Sequence, residues 1–144
     1  MTNNERSFAK QQTTAQDDSG GRVIFVFGNP DVEIDSLPLK ILPELKTALP
    51  NIKFEVHDPN EEWDIPDDFI VIDTVLGIDD VTVFDDLEAF AAAPRVSLHD
   101  FDALANLRLM QKLGKLNKIK IIGIPPMISK EVAMKKIVTL FLTF

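Results

Sequence analysis

Three polar residues from distant segments could together contact a metal ion. Asp35 ends a loop that follows a strongly apolar run, Asp73 ends the apolar run IVI, and His99 follows the short stretch RVSL. Carboxylate oxygen and imidazole nitrogen form a mixed donor set that borderline metals such as nickel and zinc accept, whereas calcium prefers oxygen alone. The spacing matches no local zinc motif such as HExxH, so the site is only suggested by the donor types.

Each candidate also has a structural interpretation, which the residues alone leave open. An aspartate that ends a strand, such as Asp73, often forms a turn or caps a helix. Asp35 precedes Ser36 and could belong to a helix N-terminus, where negative charge is favoured. His99 precedes a predicted helix and could satisfy a backbone group. The second histidine, His57, lacks comparable neighbours, and we interpret it as structural.

The elements that must position these residues follow from the apolar pattern and its punctuation. Apolar, β-branched runs predict strands over residues 22–27, 52–56, 69–72, 81–84, 95–98 and 118–124, the fourth at a sheet edge and possibly antiparallel. Helical spacing predicts helices after Ser36, over 100–113 and after Ser129, with a short helix or loop over 85–93. This alternation predicts an α/β sandwich with a mostly parallel sheet, in which ligands bind outside the carboxyl ends of the strands.

Local signals set the expected helix boundaries. Ser36 and Ser129 are predicted N-caps, and Gly114 is a predicted C′ residue. Pro38 is tolerated in a first turn, whereas Pro43 should kink its helix or delay the start. The last helix is expected to place Val132, Ile137 and Phe141 on one face.

Length and composition favour one domain with a sizeable core. The chain has 144 residues, of which 45% are hydrophobic. Residues 1–21 are polar and end in Ser-Gly-Gly, so we expect a disordered N-terminal arm and a single domain over 22–144. We see no signal peptide and no apolar run long enough to span a bilayer, and therefore expect a cytoplasmic protein.

Charge and cysteine content exclude several function classes. The formal net charge of −8 disfavours non-specific binding to nucleic acid and docking on anionic membranes. The sequence contains no cysteine, which removes disulfides, thiolate metal sites and cysteine nucleophiles. We expect neither a nucleic-acid partner nor a membrane partner.

The motifs, taken in order, resemble those of the [NiFe] hydrogenase maturation endopeptidases. The stretch GNPDVEID, from Gly28 and Asn29 to Asp35, resembles the family's first loop, which ends in an acidic metal ligand six residues after the asparagine. The stretch IVID, ending at Asp73, resembles the strand that carries the second ligand, and SLHDF resembles the segment of the third, here His99. The strand KIKIIGIPP resembles a later family strand, so the resemblance covers residues 22–144.

The resemblance implies a three-layer α/β/α sandwich and an activity. The family removes a C-terminal extension from the nickel-loaded large subunit of a hydrogenase. Asp35, Asp73 and His99 would be both the catalytic residues and the nickel contacts, while Gly28 and Asn29 would shape the first loop. The nickel would arrive with the protein substrate and be held weakly by the free protein, which we expect to be a monomer.

Two other functions stay open at this stage. One is a hydrolase of different specificity that holds its own zinc through the same residues. The other is a non-catalytic, metal-sensing or metal-binding relative. The second is favoured by two departures from the family pattern, because Ile34 stands where an acidic residue is common and Pro38 stands where a glycine is common.

Overall fold

A computed structural model of the chain describes residues 22–58, 63–66, 68–92 and 98–144, without the side chains of residues 98–103. The predicted arm over 1–21 and residues 95–97 of one predicted strand lie outside the described residues. Among the described helices, none is both long and apolar enough to cross a membrane.

The described strands form one five-stranded sheet. The strands are β1 (Arg22–Val26), β2 (Ile52–Val56), β3 (Asp68–Thr74), β4 (Thr82–Phe84) and β5 (Lys118–Ile124). The helices are α1 (Leu37–Ala48), α2 (Leu87–Ala92), α3 (Leu98–Lys112) and α4 (Lys130–Thr143), and a 3-10 turn spans Glu33–Asp35. The strand order is β2-β1-β3-β5-β4, so β3 is central. All neighbouring strands are parallel except β4, which pairs antiparallel with β5 at one edge, as predicted.

Helices cover both faces of this sheet, which confirms the predicted three-layer sandwich. Side chains alternate along each strand, so Phe69 and Val71 of β3 face one side while Ile70 and Ile72 face the other. The first face packs against α2 and α3, and the second against α1 and α4. We call them the α3 face and the α1 face.

Helix α1 begins where predicted, but Ser36 does not cap it. The Ser36 hydroxyl donates to the carbonyl oxygen of Glu33 at 2.8 Å and so holds the preceding 3-10 turn. Pro38 lies in the first turn, where a missing N–H costs no intrahelical hydrogen bond. The hydroxyl points backward because the chain before α1 is itself a tight turn.

Pro43 lies inside α1, which begins at Leu37, so of the two predicted effects the delayed start does not occur. The buried side chains of Ile41, Leu42 and Leu45 hold the helix on the α1 face. Burial of three large aliphatic side chains offsets the roughly 3 kcal/mol that a proline costs in a helix interior.

The later helices match their predicted signals with two corrections. Helix α3 begins at Leu98, so Leu98 is helical and does not belong to a strand. Gly114 has φ of 74°, the left-handed conformation expected after a helix end. Ser129 caps α4 by accepting a hydrogen bond from the Val132 amide at 3.2 Å. Val132 is exposed whereas Ile137 is buried, so the prediction that they share one face is wrong; the residues buried on α4 are Ala133 and Ile137.

Candidate functional site

Asp73 lies inside the carboxyl-terminal part of the central strand. Strand β3 continues to Thr74, so Asp73 neither forms a turn nor caps a helix. Its position in the alternation places it on the α3 face, and only 2% of its surface is exposed. The Thr74 amide donates to Asp73 Oδ1 at 2.8 Å. Its burial at the carboxyl end of the central strand makes Asp73 the strongest site candidate.

Asp35 is buried at the end of a loop that closes on itself. Its carbonyl oxygen accepts a hydrogen bond from the Asn29 amide at 3.0 Å, and its own amide donates to the Val32 carbonyl at 2.9 Å. The Asn29 side chain accepts from the Asp31 amide at 3.0 Å and tightens the same loop. Asp35 precedes Ser36, the N-cap position of α1, and lies outside the first helical turn.

Gly28 shapes this loop by leaving space for a close approach of the backbone, without a positive φ angle. Among the described glycines, positive φ angles occur at Gly77 and Gly114, not at Gly28. A Cβ at position 28 would lie 3.1 Å from the Asp35 carbonyl oxygen and 3.1 Å from Leu39 Cγ. The loop after β1 therefore approaches its own start so closely that a larger residue would displace Asp35.

The register of the sheet brings the Asp35 loop and Asp73 to the same end of the sheet, where the parallel strands have their carboxyl ends. We call this end the carboxyl edge. Val26 of β1 pairs with Ile72 of β3, and the Phe27 amide donates to the Ile72 carbonyl at 2.9 Å. The first loop thus leaves β1 beside Asp73. The loop that ends at Asp35 and the buried Asp73 of β3 therefore both lie toward the carboxyl ends of neighbouring parallel strands, the place expected for a ligand in this architecture.

His99 is the second residue of α3, so the prediction that it precedes the helix is wrong. Helix α3 packs on the α3 face through the buried Leu104 and Leu107. A short segment around the buried Leu116 joins its C-terminal end to the start of β5. Because a helix of this length spans roughly the same distance as β5, its N-terminal end lies toward the carboxyl edge. The backbone of residue 99 is therefore on Asp73's side of the sheet.

The His99 side chain lies outside the described side chains, so the three-residue metal site stays a prediction. Among them, no three His, Cys, Asp or Glu side chains lie close enough to hold a metal ion. Two buried carboxylates at one edge can supply hard oxygen contacts to a cation. A third, nitrogen contact from His99 stays a prediction.

Two residues that the sequence did not single out support the site. Thr74 orients the Asp73 carboxylate through its amide, and its own hydroxyl is buried without a hydrogen-bond partner among the described residues. Gly123 on β5 is the Cα partner of Asp73. The stretch KIKIIGIPP marks Gly123 in the sequence. Its pairing with Asp73 depends on the register between β5 and β3.

His57 lies at the end of β2 in an aromatic environment. Its ring stacks on Phe25 with centroids 4.0 Å apart, and its Nε2 contacts Glu55 Oε1 at 2.9 Å. Burial raises the pKa of Glu55, but hydrogen bonds from His57 and Lys53 outweigh burial, so the pKa lies below its ordinary value. These contacts agree with the structural interpretation of His57.

Comparisons with solved structures confirm the resemblance at the level of the fold. The hydrogenase maturating endopeptidase HybD from E. coli matches with a TM-score of 0.56 and 13% identity, over 85% of this chain and 88% of that chain. A hydrogenase 3 maturation protease matches with a TM-score of 0.54 and 15% identity, over 83% and 87% of the two chains. No protein-family model and no curated protein matches the sequence.

Proposed function

We propose that this chain is an endopeptidase of hydrogenase maturation, which removes a C-terminal extension from the nickel-loaded large subunit of a [NiFe] hydrogenase. The observation that carries the proposal is the buried Asp73 carboxylate beside the Asp35 loop at the carboxyl edge. The fold shared with two hydrogenase maturation proteases supports it.

The three site residues would contact a metal that the substrate brings and would not bind a metal ion tightly by themselves. Asp35, Asp73 and His99 come from three separate segments, and none belongs to a compact helical motif with two ligands that would preorganise tight binding. We propose that they contact nickel that the substrate already holds. A metal at this edge would polarise a nearby peptide carbonyl or a water molecule, which is the chemistry that hydrolysis needs.

The burial of the site fits a reaction that starts only when the substrate arrives. Carboxylates in a poorly solvated edge interact strongly with an incoming cation, because little water competes for them. In the proposed reaction the cation arrives with the substrate protein, and we propose that the two proteins meet in the cytoplasm.

The test is cleavage of a hydrogenase large-subunit precursor, followed by mass spectrometry of the intact product. We expect the nickel-loaded precursor to lose its C-terminal extension and the nickel-free precursor to stay intact. Cleavage of both forms at equal rates would favour a hydrolase that holds its own zinc. Failure to cleave any nickel-loaded precursor would favour the non-catalytic interpretation.

A further inference from the structure

Three apolar side chains are exposed on loops that border the candidate site. Val32 and Ile34 lie on the loop after β1 and are 42% and 48% exposed. Met127 lies on the loop after β5 and is 90% exposed. Both loops leave the carboxyl edge and lead into α1 and α4, two helices that pack against each other on the same face. The three side chains therefore flank β3 on its two sides, and we call them the apolar rim.

Backbone hydrogen bonds and prolines fix the two turns that expose the apolar rim. The Asp35 and Ser36 amides donate to the carbonyl oxygens of Val32 and Glu33, which fixes the turn carrying Ile34. Met127 follows Pro125 and Pro126, whose φ angles are restricted, and Pro125 is buried. Because these turns are held in place, the exposure of the rim is a property of the fold. Exposed methionine is common at surfaces that bind varied apolar segments.

Acidic residues lie on the loop that carries Val32 and Ile34 and on the loop after β3, whereas the loop that carries Met127 is uncharged. The loops that follow β1, β3 and β5, residues 28–35, 75–81 and 125–129, contain no lysine or arginine. Their acidic residues are Asp31, Glu33, Asp35, Asp79 and Asp80. Lysines from the helices pair with two of them, Lys40 with Glu33 and Lys136 with Asp80. Asp31 and Asp79 are exposed and form no ion pair within the described part of the chain.

We infer that the apolar rim is the docking surface for a basic, apolar segment of the partner protein. This inference rests on the proposed function and adds the chemical class of the substrate segment. Leucine-like or valine-like side chains of the segment would cover Ile34 and Met127, and lysine or arginine side chains would meet Asp31 and Asp79. Charge complementarity of this kind accelerates association and selects against acidic segments.

A second copy of the chain fits the rim poorly. Each chain has a formal net charge of −8 and would present the same acidic loops. Like charges placed opposite each other at an interface are costly. The basic segment is the occupant that the charges favour.

The test measures fluorescence anisotropy of labelled synthetic peptides of equal length with the full chain. One peptide alternates leucine and lysine, a second replaces leucine by serine, and a third replaces lysine by glutamate. Two double variants of the chain remove the apolar and the acidic part, Ile34→Ser with Met127→Ser and Asp31→Asn with Asp79→Asn. All four side chains are exposed, so folding should be preserved and is checked by circular dichroism.

The matched controls carry the same chemical changes elsewhere. Leu142→Ser changes a side chain that is 77% exposed near the C-terminal end of α4, and Asp68→Asn changes the first residue of β3 at the opposite edge of the sheet. We expect the leucine-lysine peptide to bind the parent and both controls alike. Either double variant, or either altered peptide, should weaken the Kd about tenfold or more.

Three results would overturn the inference: no preference among the peptides, equal weakening by Leu142→Ser, or a dimer that the double variant Ile34→Ser with Met127→Ser abolishes while no peptide binds. Peptide binding requires neither nickel nor cleavage, so its outcome is separable from that of the proposed function. Retained binding with no cleavage would contradict only the proposed function. Cleavage that the double variants leave unchanged, together with absent peptide binding, would contradict only the docking surface.

Discussion

Asp73 and Gly123 are Cα partners across the parallel strands β3 and β5. A Cβ at position 123 would lie 2.8 Å from Val75 Cγ2 and 2.9 Å from Phe84 Cε2, closer than real Cβ atoms come. The strand next to the candidate site therefore packs in this register only because residue 123 has no side chain.

This close approach makes Gly123→Ala destabilising. Val75 and Phe84 are buried in the α3-face core and cannot move aside freely. We expect the free energy of unfolding to fall by about 2–3 kcal/mol, the upper part of the usual cost of overpacking. Urea denaturation measures the loss.

Gly114→Ala is the comparison for that variant. Position 114 has φ of 74°, and a Cβ added there would meet no described atom within 4 Å, so only backbone conformation opposes the substitution. We expect a loss of about 1 kcal/mol. An equal or larger loss at position 114 than at position 123 would contradict the steric explanation.

The contacts of Glu55 predict a pH-dependent contribution to stability. The pKa of Glu55 is lowered in the folded state, because hydrogen bonds from His57 and Lys53 outweigh the opposing effect of burial. The folded protein therefore binds this proton less readily than the unfolded chain. The resulting stabilisation is present above the unfolded pKa and is lost as pH falls through the folded pKa.

Glu55→Gln should accordingly lower stability near neutral pH by about 0.5–1 kcal/mol, with the difference from the parent shrinking below about pH 4. Denaturant titrations at several pH values measure it. Glu33→Gln is the control, because its ion pair with Lys40 involves a Glu33 side chain that is 91% exposed. A constant difference at all pH values would show that Glu55 contributes through packing alone.

The strands can be predicted well because their apolar runs end at polar or proline residues that interrupt a strand. The runs ending before His57 and before Pro125-Pro126 predict β2 and β5 with the observed bounds. The charged Asp73 interrupts an apolar pattern, so the pattern alone predicts that the strand stops before it. The structure continues β3 through Asp73, since pairing with β5 extends to Thr74.

The site can be predicted only in part, because its details depend on tertiary contacts. The residue types of Asp35 and Asp73 can be recognised from sequence, but their shared edge depends on the β1–β3 register. The direction of the Ser36 hydroxyl depends on the tight turn before it. Helix α1 accommodates Pro43 because the neighbouring side chains are buried, and the local sequence does not show this burial.

Residues 1–21 should be dispensable for folding. Their composition is polar and offers little apolar surface to offset the entropy of ordering. We expect a chain that starts at residue 22 to keep the Tm of the full chain in differential scanning calorimetry. A drop of several degrees would place part of this segment in the folded domain and contradict the predicted boundary.

The purified protein should hold little metal. The three proposed contacts come from separate segments, and tight sites need preorganised ligands with supporting hydrogen bonds. We expect elemental analysis of the isolated chain to find far less than one nickel or zinc per chain. One tightly held zinc that Asp73→Asn or His99→Ala removes would support a resident-metal hydrolase.

The most direct test of the central claim compares two identical substitutions on one strand. Asp73→Asn removes a carboxylate charge at the carboxyl edge, and Asp68→Asn removes one at the exposed start of β3. The rate of cleavage of nickel-loaded precursor is the measurement, with circular dichroism to verify that both variants fold. The account predicts a loss of about a hundredfold or more for Asp73→Asn, the cost of one transition-state contact, and parent-like cleavage for Asp68→Asn. Parent-like cleavage by a folded Asp73→Asn variant would contradict it.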